Sequence, residues 1–172
     1  MFPQDEDIRE VDVKEQPFMV VPIDPGIAEY VREHDQDPQY GYPATRQAAT
    51  GYGPCRVCLS TFVVGRDRRI LFTYNPFDGI EPYPQPGPVF IHENACEPYA
   101  DADVFPPELR AMPMTLEAYA HGPELVSFVR IDDEPVEAAL ARLLSDPAVD
   151  YVHVRNTEAG CFDLRVERGS VC

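Results

Sequence analysis

The chain carries its apolar residues in short blocks, and the blocks predict many short strands and few helices. Pro17-Phe18-Met19-Val20-Val21-Pro22-Ile23 is a compact apolar run that reads as a strand. Asp24 then offers a helix cap with Pro25 at the first helical position, and Ile27, Tyr30 and Val31 follow at i, i+3, i+4, which predicts a short helix. Residues 35–54 have no periodicity and read as a long loop. Residues 55–64 and 69–74 read as strands with Gly65 at the turn, residues 75–87 as a Pro/Gly-rich loop, and residues 88–92 as a short strand. Residues 94–106 form another loop, and residues 107–112 predict a helical turn. Residues 114–120 and 125–131 read as strands around His121-Gly122-Pro123. The clearest helix spans residues 135–144: Asp132 or Asp133 caps it, Val136, Ala139, Leu140, Leu143 and Leu144 share one face, and Ser145-Asp146-Pro147 ends it. Two strands, 149–155 and 161–168, follow. The expected fold is α+β, a mainly antiparallel sheet with two or three short helices and long Pro/Gly-rich loops.

The final pair of strands makes a sharper prediction. Valines alternate with polar residues in Tyr151-Val152-His153-Val154-Arg155, and Phe162, Leu164 and Val166 form the apolar set of the next strand. A five-residue loop, 156–160, puts both sets on one face by pairing Val154 with Phe162 and Val152 with Leu164. That register sets His153 opposite Asp163, Arg155 opposite Cys161 and Tyr151 opposite Arg165, so an imidazole and a carboxylate would meet on the polar face with Cys161 beside them. A general base activating Cys161 or a water follows from that placement. Cross-strand charge pairing on a half-exposed sheet explains the same residues without any chemistry.

Charge and composition narrow the functions. The 172 residues suggest one domain, 17–172, behind an acidic leader, 1–16, and the formal net charge is −16. A field of that sign repels nucleic acid and anionic lipid, so neither is an expected partner. The most basic stretch, Arg66-Asp67-Arg68-Arg69, reads as a turn between strands. Thirteen of the fourteen cationic side chains are arginine, and the exception, Lys14, lies in the leader, which argues against Schiff-base chemistry. The start lacks a secretory pattern and no apolar run reaches the ~20 residues of a membrane span, so a cytoplasmic location is expected. Five cysteines, Cys55, Cys58, Cys96, Cys161 and Cys172, then read as free thiols.

Cys55-Arg56-Val57-Cys58 has the spacing of a redox or metal pair. On a strand, positions i and i+3 point to opposite faces, so the two sulfurs share a metal only if Pro54 bends the segment into a turn. His92-Glu93-Asn94-Ala95-Cys96 is a second half-motif, which His153 or Cys161 would have to complete. Arg56 sits among apolar residues and needs an anion, either a ligand or an internal carboxylate. His34 and His121 lie in loop-like surroundings.

Four segments carry a resemblance: Gly53-Pro54-Cys55-Arg56, Gly65 with Ile70-Leu71-Phe72-Thr73-Tyr74-Asn75-Pro76, Pro82-Tyr83 through Gly87-Pro88-Val89-Phe90-Ile91-His92, and His153 through Asn156 with Gly160-Cys161-Phe162. In this order they resemble the bacterial proteins grouped as domain of unknown function family 1203, over about residues 17–168. The resemblance implies that Arg56, His92, His153, Asn156 and Cys161 lie in the motifs that mark the family, and it carries no activity.

The leading expectation is a small enzyme acting on an anionic metabolite. In it His153 is the base, Asp163 its orienter, Cys161 a nucleophile and His92 a second acid–base group. Arg56 holds the anion, Asn156 donates hydrogen bonds, and no cofactor or metal takes part. The alternatives are a non-catalytic binding or interaction module and a metal protein. No oligomeric state is specified.

Overall fold

The computed structural model describes residues 17–77, 79 and 86–169. The leader 1–16, with Lys14, and Cys172 lie outside the described residues. Among the described residues no helix is long and apolar enough to cross a membrane. The fold is α+β, built on two antiparallel sheets with two α-helices.

The larger sheet contains β1 (Phe18–Val21), β5 (Met114–Tyr119), β6 (Leu125–Arg130), β7 (Tyr151–Asn156) and β8 (Phe162–Arg168), in the spatial order β1-β8-β7-β5-β6. The helix α2 (Val136–Leu144) lies on one face of it. Leu140 and Leu144 of α2, Leu116 and Ala118 of β5, Val152 and Val154 of β7, and Leu164 and Val166 of β8 close this core. Alternation along three adjacent strands forces this outcome, because every second side chain faces the helix. The N-cap of α2 is Pro135, which has no side chain to offer, so neither Asp132 nor Asp133 performs the expected capping.

The smaller sheet orders β2 (Thr45–Ala48), β3 (Arg68–Tyr74) and β4 (Gly87–His92). Its apolar residues Ile70, Phe72, Val89 and Ile91 pack with Ala28 and Val31 of α1 (Pro25–His34). Asp24 caps α1 by accepting from the Gly26 N–H at 2.8 Å, as its position predicts. The strand β2 falls inside the expected loop 35–54. Its sequence, Thr-Arg-Gln-Ala, has no apolar alternation because it is an edge strand with mostly exposed side chains.

Two further departures shape the site. Residues 55–64 do not form a strand: the backbone turns at Arg56–Cys58, the Leu59 N–H closes onto the Cys55 carbonyl at 2.9 Å, and Leu59 adopts a left-handed φ of 56°. Such a backbone costs a branched side chain about 1–2 kcal/mol. Burial of the leucine in the α2 core offsets it. The β7–β8 register also differs from expectation. Val154 pairs with Leu164, His153 with Arg165 and Arg155 with Phe162, with a bulge beside Val154. Asp163 is the extra residue of that bulge. One inserted position flips Phe162 from the α2 face to the opposite one, where it joins the core of the smaller sheet.

Candidate metal centre

The turn at Arg56–Cys58 brings together what a strand would have separated. The Sγ atoms of Cys55, Cys58 and Cys96 and one ring nitrogen of His92 all lie within 4.8 Å of one another. Each arrives on a different local device. Cys55 and Cys58 flank the tight turn, and the Cys55 N–H donates to the Ser60 carbonyl at 2.9 Å. His92 ends β4, where pairing with Arg69 of β3 fixes its backbone. Cys96 sits on irregular backbone just beyond. Arg32 of α1 ties the last two together, donating from Nε and Nη2 to the His92 carbonyl at 3.2 and 3.1 Å and from Nη2 to Cys96 Sγ at 3.7 Å.

Two sulfurs held about 2.3 Å from one ion at the tetrahedral angle stand about 3.8 Å apart, and a sulfur and an imidazole nitrogen about 3.6 Å. Cys55 and Cys96 have their sulfurs 3.8 Å apart, and Cys58 Sγ lies 3.5 Å from His92 Nδ1. Both observed edges match a zinc tetrahedron. The other imidazole nitrogen is also engaged: His92 Nε2 lies 3.7 Å from Asp67 Oδ2, and Asp67 is held in turn by the Val63 N–H at 2.7 Å. A carboxylate behind a ligating histidine fixes its tautomer and raises its basicity. The His92 N–H donates to Cys55 Sγ at 3.3 Å.

Thiols this close share protons. Hydrogen bonds from Cys58, then from Cys96, hold the Cys55 pKa well below the ordinary thiol range. The hydrogen bond with Cys55 pushes Cys96 upward. The hydrogen bond with Cys58 raises His92, and Asp67 adds to the effect. The donor set is three potential thiolates and one imidazole, the chemistry of a soft or borderline ion.

The residues expected to form an acid–base site are arranged differently. His153 and Asp163 are not opposed, since the bulge moves Arg165 opposite the histidine. The His153 ring is fully buried inside Phe77, Tyr119, Tyr151 and Phe162, whose ring centroids lie 4.7, 5.1, 5.0 and 5.0 Å away. Neither ring nitrogen has a hydrogen-bond partner. Burial first, then Arg155 and Arg165, drive its pKa down to about 2, so the ring is neutral. Asp163 turns to Arg56 instead, with Nη2 and Oδ1 3.3 Å apart, and burial raises its carboxyl to about 6 against the pull of that guanidinium. The ion pair is close but poorly aimed, because Asp163 Oδ1 makes no hydrogen bond. Arg56 spends its other donors on the Phe162 carbonyl at 2.7 Å and the Pro54 carbonyl at 2.5 Å.

Asn156 accepts from the N–H groups of Glu158 and Ala159, both at 2.9 Å, and so shapes the β7–β8 turn. Cys161 borders a cavity of about 220 Å³ with Arg155 and Tyr74. His92 is thus the one residue of the expected catalytic set that joins the cluster. Its partners are Cys55, Cys58 and Cys96 rather than His153 or Cys161. Asp67 and Arg32 carry no sequence signal of their own: the first reads as part of a charged turn, the second as the solvent face of a helix.

No curated protein and no solved structure matches the chain. Residues 52–168, which include all four residues of the cluster, match the family model described as Protein of unknown function (DUF1203), and the chain belongs to that family.

Proposed function

We propose that this chain is a zinc-class metal protein whose ion is bound by Cys55, Cys58, His92 and Cys96. The observation that carries the reading is the pair of edge lengths, 3.8 Å between two sulfurs and 3.5 Å between sulfur and imidazole. Thiolate and imidazole donors favour zinc over hard cations such as magnesium or calcium. Four protein ligands complete a tetrahedron and leave no position for substrate, the pattern of a structural rather than a catalytic ion. Such an ion binds the folded chain far better than the unfolded one, so its binding energy becomes folding energy. Here it would pin the 55–59 turn, the end of β4 and the irregular backbone around Cys96 to one point. The first and last of these segments lie outside the strand ladders.

The ligands must lose their protons to bind, so loading releases protons and weakens in acid. Acid–base catalysis by His153 finds no support in its surroundings, where aromatic rings cover the imidazole on all sides.

The test is elemental analysis of the purified full chain, followed by reconstitution with cobalt(II). One ion per chain is expected, with the intense visible absorption of a tetrahedral, thiolate-bound cobalt site. A Cys58→Ser chain should lose that absorption. A folded protein that takes up neither ion stoichiometrically, or one whose Cys58→Ser variant binds cobalt unchanged, would overturn the proposal.

A further inference from the structure

The four ligands are not equally covered. Cys55 is fully buried, whereas Cys96 is partly exposed. A cavity of about 290 Å³ opens onto His92 and Cys96, with Arg66, Asp67, Arg68 and Asn94 on its walls. One sulfur of the cluster therefore faces a space that a small solute can enter. That sulfur also lies within van der Waals reach of a second sulfur, Cys55, 3.8 Å away. A cation flanks it: the Arg32 guanidinium is 3.7 Å from Cys96 Sγ. Positive charge beside that sulfur stabilises the hydroxide that departs when the sulfur is oxidised.

We propose that the centre is a peroxide-sensitive zinc switch, in which a hydroperoxide oxidises Cys96, Cys55 closes a disulfide onto it, and the ion leaves. This rests on the zinc reading above. When bound, the ion would hold Cys55 and Cys96 as thiolates. The Cys96 sulfur attacks the distal oxygen of the hydroperoxide, the O–O bond breaks, and a sulfenic acid and hydroxide (or alkoxide) result. The Cys55 thiolate then attacks the sulfenic sulfur and expels a second hydroxide. Two electrons pass from the two sulfurs to the peroxide, and the two anions take up protons from solvent. Closing the contact to a disulfide of about 2.05 Å requires the sulfurs to approach by roughly 1.8 Å, a displacement the irregular backbone at Cys96 can absorb. Only Cys58 and His92 then remain as ligands, too few to retain the ion. Cys161 lies in a separate cavity and takes no part.

The experiment titrates the zinc-loaded full chain with hydrogen peroxide in the presence of a chromophoric chelator, then maps disulfides by mass spectrometry without reduction. One zinc should leave per peroxide consumed, a Cys55–Cys96 crosslink should appear, a phosphine reductant should restore binding, and a Cys161→Ser chain should behave identically. Zinc retained under excess peroxide, or a crosslink that involves Cys161 or Cys172, would overturn the switch. A chain that takes up no zinc at the outset removes the zinc reading and this inference together. A loaded chain that ignores peroxide removes only the inference.

Discussion

Two groups of ionisable side chains, one partly open and one sealed, have opposite characters. At the Cys55–Cys58–His92–Cys96 cluster every donor atom converges on one point, and Asp67 and Arg32 brace it from behind. Around His153 and Asp163 the polar atoms diverge, with both imidazole nitrogens and Asp163 Oδ1 lacking hydrogen bonds. The difference teaches that closeness in the fold is not chemistry. Ionisable groups become a site when their free atoms aim at a shared position. They become a cost when aromatic packing seals them apart.

That contrast can be broken, most severely at the metal. With free zinc at a thousand times its dissociation constant, chelation should remove about 4 kcal/mol of apparent stability, read as a lowered midpoint in urea. An unchanged midpoint would show that the cluster contributes nothing to folding. Next in size is the buried ion pair. Arg56→Met leaves Asp163 without its cation and should cost about 3 kcal/mol, whereas Arg56→Met with Asp163→Leu should recover most of it. If the double variant is no better than the single one, the hydrogen bonds of Arg56 to the Phe162 and Pro54 carbonyls outweigh its charge pairing.

A milder change is Asp67→Asn, which keeps an acceptor for the Val63 N–H but removes the charge behind His92. Metal affinity should fall 10–100-fold, about 1.4–2.7 kcal/mol, in a competition titration. Equal affinities would reduce the Asp67–His92 contact to a surface ion pair.

The last effect concerns pH and builds up gradually. Folded His153 stays neutral down to about 2, while the unfolded ring protonates below about 6.5. The unfolded state therefore binds more protons, and stability falls as pH drops through 6.5, by up to about 1.4 kcal/mol per unit. Asp163 works in the reverse sense. Its carboxyl, raised from 3.8 to about 6, holds a proton in the folded chain that the unfolded chain has lost, so its contribution fades as pH climbs from about 4 to 6. His153→Phe should abolish the first effect alone and make the protein relatively more stable near pH 5 than at pH 7.5. Identical pH profiles of denaturation would mean that the ring protonates inside its aromatic enclosure.

The parts of this molecule that were legible in its sequence are those in which one physical signal decides. The α2 stripe from Val136 to Leu144, the Asp24–Pro25 start of α1 and the alternation in β7 each follow from burial or capping, and the antiparallel α+β arrangement follows from them. The register of β7 and β8 was not legible, because the bulge at Asp163 is favoured by a long-range partner, Arg56, rather than by a local preference. The cysteine–histidine cluster was visible only as two half-motifs. Neither Cys55-x-x-Cys58 nor His92-x-x-x-Cys96 reveals that it meets the other. The apolar flanks of the first imitate a strand, while Leu59 holds the left-handed position where glycine would have announced a turn. A proline followed by the two-cysteine spacing was the available clue, and it outweighs the apolar pattern around it.

The placement of β1 has a consequence for how the polypeptide is made. Among the described residues its ladder neighbour is β8, with Val20 beside Val166, nearly the full described length away. During synthesis the apolar run Phe18–Val21 emerges well before its mate, with every other strand and both helices translated between them. Through that interval it is a sticky, unpaired edge, a natural client for holding chaperones, and closure of the five-stranded sheet becomes a late event on the way to the finished molecule.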